Sequence, residues 1–248
     1  MIKIAICGCC GKMGQRIAYL ASQDSDFCVS AAIEVKDHSA VGQQLGQVIG
    51  LKGLNVQIID DPAQIKDVDV LIEFTSPLAA GANLAWAQEH QKTIVIGTTG
   101  LDTQQIAKID QASEKIPVVY SPNMSLGVNL AFKLVKQAAQ KLGRDYRADI
   151  VEAHHSHKKD APSGTAKRLA QLIKQSPSFQ DDQIKIDSIR EGEIVGDHQV
   201  RFAGPQDVIV IKHSAKTRDI FAQGALAAAK FIVKQKPGLY DMQDVIDA

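Results

Sequence analysis

The densest chemistry in this 248-residue chain lies between Glu152 and Thr165, which reads EAHHSHKKDAPSGT. Three of the seven histidines, His154, His155 and His157, stand beside Lys158 and Lys159, so five potential cations fall within six residues. An imidazole exchanges protons near neutral pH, and a lysine ammonium can hold an anion while keeping a proton to give. The cluster leaves a strand-like run, Asp149 to Ala153, and leads through Asp160, Pro162, Ser163, Gly164 and Thr165 into a helical pattern. The amides of Ser163 to Thr165, at the helix start, lack intrahelical partners and could receive a carboxylate. Acid–base work on a small anion is the chemistry these residue types allow. The bland alternative is an exposed polar loop before a capped helix. A zinc site is disfavoured, because adjacent strand residues face opposite sides and the two lysines repel a dication; no metal is expected.

A second constellation opens the chain. The apolar run Ile2 to Cys7 meets Gly8-Cys9-Cys10-Gly11-Lys12-Met13-Gly14, after which Ile17, Leu20 and Ala21 recur at helical spacing. Strand, glycine turn and helix form the context of a dinucleotide-binding turn, although the glycines fall at first, fourth and seventh positions rather than the commoner first, third and sixth. Gly8 would permit the sharp exit from the strand, Gly11 the approach of amides to a pyrophosphate, and Gly14 close packing of the helix on the sheet. Glu34 closes the strand run Cys28 to Ile33 and could accept hydrogen bonds from an adenosine ribose. Together these features point to a nicotinamide nucleotide. Gly97-Thr98-Thr99-Gly100 and Ser121-Pro122-Asn123-Met124-Ser125 also follow strand runs, where an open parallel sheet places its ligand.

The elements that must position these residues change character along the chain. Up to residue 125, six strand runs alternate with helical patterns, which predicts an α/β fold with one parallel sheet covered on both faces. Pro77 to Glu89 and Leu101 to Lys115 read as helices, and 35–55 as a glycine-interrupted loop. Beyond residue 125 come a long helix from Leu126 to Gly143, a strand over 147–155 and a helix from Ala166 to Gln175. Three alternating runs, 184–189, 193–202 and 207–213, suggest antiparallel pairing. A last helix, from about Arg218 to Gln235, precedes a Pro237-Gly238 break and a short tail. His198 falls in an expected turn and His213 at a strand end, both as structural residues; Trp86 and Phe132 are expected in the core.

Composition excludes several classes. Lys and Arg balance Asp and Glu at 28 each, so nothing supplies the cationic surplus that nucleic acid or an anionic membrane needs. No apolar run is long enough to span a bilayer, and the N-terminus enters a strand directly instead of a signal peptide. A cytoplasmic protein with reduced cysteines is expected, since the four cysteines lack disulfide or zinc spacing.

The Gly8 to Gly14 turn, the Gly97 to Gly100 loop, Ser121-Pro122-Asn123 and, above all, Glu152 to Thr165 together resemble the bacterial dihydrodipicolinate reductase family. The likeness covers essentially the whole chain. It implies reduction of 4-hydroxy-tetrahydrodipicolinate in lysine and diaminopimelate synthesis with NADH or NADPH, and a homotetramer. It also implies a Rossmann-type nucleotide domain, residues 1–125 with 217–248, and an α+β substrate and tetramerisation domain with a mixed sheet, residues 126–216. The family's catalytic histidine falls on His154 and its proton-donating lysine on Lys158. Its substrate-binding residues fall on His155, Gly164 and Thr165. Its nucleotide contacts fall on Gly8, Cys9, Cys10, Gly11, Lys12, Met13, Glu34, Gly97, Thr98, Thr99, Ser121, Pro122, Asn123 and Met124. One departure stands out: many members carry an arginine just after the ribose-binding acid, and this chain has Val35. With Glu34 repelling a 2′-phosphate, NADH is expected to serve at least as well as NADPH.

Overall fold

The structure is a computed structural model describing residues 1–248. The chain first lays down β1 (Ile2–Cys7), α1 (Lys12–Ser22), β2 (Phe27–Ile33), α2 (Leu45–Val48), β3 (Ile58–Ile59), β4 (Val70–Glu73), α3 (Pro77–Glu89), β5 (Thr93–Ile96), α4 (Thr103–Ser113) and β6 (Pro117–Tyr120). It continues with α5 (Leu126–Lys141), β7 (Arg147–His154), α6 (Gly164–Lys174), β8 (Ile184–Arg190), β9 (Gly196–Ala203) and β10 (Val208–Ala215), then α7 (Asp219–Ile232), β11 (Gly238–Tyr240) and α8 (Met242–Asp247). Two compact units result, Met1–Ser125 with Phe221–Ala248, and Leu126–Ile220.

The first unit is a seven-stranded sheet in the order β11-β6-β5-β4-β1-β2-β3, parallel throughout. Parallel strands need crossovers on both faces, so their side chains are buried on both sides and the sequence reads as continuous apolar runs. In β1, Ile4 and Ile6 join a core cluster with Ile17, Ala225 and Ile232, whereas Ala5 and Cys7 point the other way, toward Leu71, Trp86 and Ile109. The small residues of α7 allow a close approach: a Cβ on Gly224 would lie 1.7 Å from the Met124 carbonyl oxygen. Helix α3 begins where Ser76 caps it, its hydroxyl accepting from the Ala79 amide, with Pro77 in the first turn.

Two expectations need correction here. The alternation of strand and helix is incomplete: full helices connect β1 to β2, β4 to β5 and β5 to β6, but only a single 3-10 turn at Pro62–Gln64 lies between β3 and β4, while the loop expected over 35–55 holds just the four-residue α2. The supposed tail is structured: β11 pairs with β6 at the sheet edge, and Met242 of α8 is fully buried. Three strand residues after a Pro-Gly break carry too little periodicity to be read.

The second unit packs α5 and α6 on a four-stranded sheet ordered β10-β9-β7-β8. Its core contains Val135, Ala139, Ile150, Leu169, Ile173, Val200 and Phe202. The expected antiparallel pairing holds for β7 with β9 and for β9 with β10, but β8 runs parallel to β7. Helix α6 supplies the crossover that a parallel pair requires. His198 lies inside β9, not in a turn, and His213 lies within β10 opposite it. The strict alternation of β9 buries His198 alongside Val200 and Phe202. No helix is long and apolar enough to cross a membrane.

Candidate functional site

In the first unit the singled-out residues gather at the carboxyl ends of the parallel strands, as the fold demands of a ligand site. Gly8 leaves β1 at φ +80°, and a Cβ there would meet the Phe74 carbonyl oxygen at 2.5 Å. Gly14 is required by contact with the turn itself rather than with the sheet, since its added Cβ would fall 2.1 Å from the Gly8 carbonyl oxygen. The Gly8 and Cys9 amides bond to the Ile33 carbonyl, and Gly11 bonds back to Gly8. Glu34 accepts from the amides of Cys10 and Val35, both at 3.0 Å. This carboxylate therefore ties the glycine turn to the end of β2. Lys12 and Met13 occupy the first turn of α1, where amides point out of the helix toward an anion.

Not every nominated side chain reaches the surface. Cys9 and Met124 are buried in the core, so only their backbones can meet a ligand. The ligand atoms of Cys9, Cys10 and Glu34 fall within 4.8 Å of one another. Burial pushes the Cys9 thiol far above its ordinary value, and the oxygens of Glu34 already hold amides. Ser121 and Asn123 brace their own loop through the Ser121 hydroxyl and the Asn123 carbonyl, 2.9 Å apart. Thr98 is buried too and donates to Glu73 at 2.7 Å. Glu73, which drew no attention as the last residue of an apolar run, is fully buried. It also accepts from the Thr75 hydroxyl and from Asn83. Burial raises its carboxyl above the usual range against the pull of these donors. The residue thus braces the Thr75 and Thr98 loops together.

In the second unit, β7 delivers the cationic cluster. His154 is its last residue, and its Nδ1 lies 2.5 Å from Glu152 Oε2. Glu152 is fully buried, and its Oε1 accepts from Arg190 Nη2 at 2.7 Å and from the Ser163 amide at 3.2 Å. Burial alone would raise this carboxyl, but hydrogen bonds from Arg190, Ser188, His154 and Ser163 outweigh it and hold the group at about 2. Arg190 Nη2 also reaches the Asp160 carbonyl at 2.6 Å, anchoring the loop that carries Lys158. Lys158 Nζ sits 2.7 Å from Asp160 Oδ1. The loop contains a cis Ala161–Pro162 peptide and ends at Ser163, which caps α6 by accepting from the Ala166 amide. Gly164 and Thr165 form the first turn of that helix, where an anion is favoured.

Sequence reasoning missed Arg190 and His198 as members of this site and gave Glu152, at the head of the cluster, no role of its own. It also treated the Ser163 amide as open, whereas Glu152 holds it. Nor does the structure gather His154, His155 and His157; the ligand atoms that converge, within 4.8 Å, belong to Glu152, His154 and His198. The Arg190 guanidinium on Glu152 already neutralises the carboxylate a cation would need. His198 donates to or accepts from the Ser163 hydroxyl at 3.1 Å, and burial, followed by the charge of His154, lowers it to about 4.

Comparison with known proteins decides what this arrangement belongs to. Residues 2–124 match the family model "Dihydrodipicolinate reductase, N-terminus", and residues 127–246 match "Dihydrodipicolinate reductase, C-terminus". The chain belongs to the dihydrodipicolinate reductase family. Among its relatives is a 4-hydroxy-tetrahydrodipicolinate reductase of Geotalea uraniireducens, 43% identical with 99% of each chain covered. Another, of Chromohalobacter salexigens, is 42% identical over 99% of this chain and 98% of the relative. A dipicolinate-bound dihydrodipicolinate reductase from Paenisporosarcina sp. TG-14 superimposes with a TM-score of 0.81 at 25% identity, with 98% of both chains covered. A probable dehydrogenase from Thermotoga maritima shares the fold at 12% identity and a TM-score of 0.68, covering 99% of this chain and 93% of its own. Membership in the dihydrodipicolinate reductase family makes the chain an oxidoreductase acting on the dihydrodipicolinate intermediate of the lysine and diaminopimelate route. It also implies a nicotinamide cofactor.

Proposed function

We propose that the second unit binds the dicarboxylate and supplies the proton, and that the first unit holds the nicotinamide nucleotide. The observation that carries this reading is the convergence on buried Glu152 of His154, Arg190 and the Ser163 amide, one residue before Gly164 and Thr165. Gly164, Thr165 and His155 would grip substrate carboxylates through helix-start amides and an imidazole. The nucleotide, when bound, supplies a hydride to the ring. Electron density then left on the carbon skeleton requires a proton, which Lys158 would give.

Residues Gly8 to Met13, Glu34, Gly97 to Thr99 and Ser121 to Met124 would hold the nucleotide. The fit rests on the Gly8 turn, whose conformation and clearance exclude any side chain, and on the open helix start at Lys12 and Met13. Val35, beside Glu34, is 51% exposed and carries no charge, so any offset to the repulsion between Glu34 and a 2′-phosphate would have to come from Lys36 or His38 further along the loop. Turnover efficiency with NADH is therefore expected to equal or exceed that with NADPH in parallel steady-state assays; a strong NADPH preference would contradict the assignment. The decisive assay follows NADH absorbance with enzymatically generated 4-hydroxy-tetrahydrodipicolinate. Pyridine-2,6-dicarboxylate, a planar dianion like the ligand in the Paenisporosarcina structure, should inhibit competitively with substrate. No substrate-dependent oxidation would return the chain to a nucleotide-binding role without this chemistry.

A cytoplasmic homotetramer completes the proposal. All four cysteines are unpaired, in keeping with a reducing compartment. Edge strand β10 leaves Val208, Ile209 and Val210 between 39% and 51% exposed, an apolar edge that monomeric proteins avoid. Val210→Glu is expected to lower the molar mass found by light scattering from that of a tetramer to that of smaller species. An unchanged mass would place the contacts elsewhere.

A further inference from the structure

We propose that Glu152 is a positioning residue that fixes the proton of His154 on Nδ1 and leaves its Nε2 lone pair to act on the substrate. The inference rests on the reading of His154 as a substrate-contacting residue. Its basis is the division of labour between the two carboxylate oxygens. Oε1 is taken by Arg190 Nη2 at 2.7 Å and by the Ser163 amide at 3.2 Å, while Oε2 faces His154 Nδ1 at 2.5 Å, and the Ser188 hydroxyl also donates to the carboxylate. An ionised carboxylate has no hydrogen to give, so the hydrogen in that contact belongs to the imidazole. Glu152 is ionised throughout the working range, being held at about 2 by its donors despite its burial.

The surroundings of the ring keep it to a single proton. Burial, then the positive charges of Lys158 and Arg190, lower His154 below its ordinary value against the pull of Glu152. From β9 the His198 ring meets it edge-on, with centroids 5.1 Å apart, and brings no charge at neutral pH. Gly196 leaves room for the other nitrogen: a Cβ there would stand 3.1 Å from Nε2. A neutral imidazole protonated on Nδ1 can accept at Nε2 and cannot donate there. His154 then serves as acceptor and Lys158 as donor, so the two adjacent basic residues do different work.

Glu152→Gln separates these ideas. The amide oxygen keeps the place of Oε1, because Arg190 and the Ser163 amide both need an acceptor, and the amide NH2 replaces Oε2 against the ring. Nδ1 must then accept, and the proton moves to Nε2. Imidazole 15N shifts, assigned by comparison with His154→Gln, are expected to report Nδ1–H in the parent protein and Nε2–H in Glu152→Gln. The same change should lower kcat by about 100-fold while the NADH KM stays near the parent value. An Nε2–H ring in the parent protein overturns the proposal even if the variant fails to fold. So does an unswapped ring or a parent-like kcat in Glu152→Gln when His154→Gln is slow. A parent-like kcat in His154→Gln overturns the underlying reading of His154 instead.

Discussion

Lys158→Ala is expected to lower kcat by about 100- to 10,000-fold, the range for removing a positioned general acid, with little change in NADH affinity. The ammonium is held 2.7 Å from Asp160, and the loop behind it is anchored through the Asp160 carbonyl to Arg190. A flexible side chain thereby has a fixed resting place in the loop that leads to the start of α6, the proposed carboxylate site. On the proposed reading, removal of the amine takes away the proton source and one cation that would hold the substrate, so substrate KM should rise as well. NADH binding, measured by fluorescence titration, should be almost unaffected because the residues proposed to hold the nucleotide lie in the first unit. His154→Gln should show the same pattern. Parent-like turnover in either variant would remove that residue from the mechanism.

Arg190→Met is expected to destabilise the second unit by about 3–5 kcal/mol at pH 7, because it strands a buried carboxylate without its counter-charge. In the parent protein Glu152 lies at about 2 against an ordinary 4.5, a depressed value. Its ionised form therefore contributes stability in full above pH 4.5, about 3 kcal/mol by linkage, and loses it as pH falls toward 2. In the variant the buried group favours its proton, so acidification relieves the penalty. The deficit relative to the parent should shrink between pH 7 and pH 4. Hydrogen exchange of β7 amides is the suitable measure, since a two-unit chain need not unfold in one step. An equal deficit at both pH values would assign the loss to packing of the arginine stem instead of to charge.

What the sequence made legible was local. Pro77 to Glu89 could be bounded to the residue because Ser76 and Pro77 mark its start, and β1 because its apolar run meets a glycine turn. The Glu152 to Thr165 cluster showed its concentration of titratable groups in the sequence. Its support was not visible there, because Arg190 lies 38 residues from Glu152 and reaches it only through the β7–β8 register that sets His154 beside Arg190. No periodicity encodes which neighbour, parallel β8 or antiparallel β9, supplies the partner of a carboxylate on β7. His198 was misplaced for a related reason: it was expected in a turn, yet it lies inside a strand whose pairing is decided by β7 and β10. Glu73 was hidden because a carboxylate after Val-Leu-Ile looks like a strand end, and only the neighbouring Thr98 loop makes it a brace.

The return of the chain to β11 carries a consequence for biosynthesis. The helical residues that cover Met124 and the edge strand beside β6 are encoded about 100 and about 120 residues after β6 itself. At roughly 5–20 residues per second, a ribosome leaves the nascent sheet without its last strand for about 6–24 seconds. The inserted α+β unit emerges whole during that interval and is free to fold first. The nucleotide half must wait, its apolar face a ready client for chaperones until translation is nearly done.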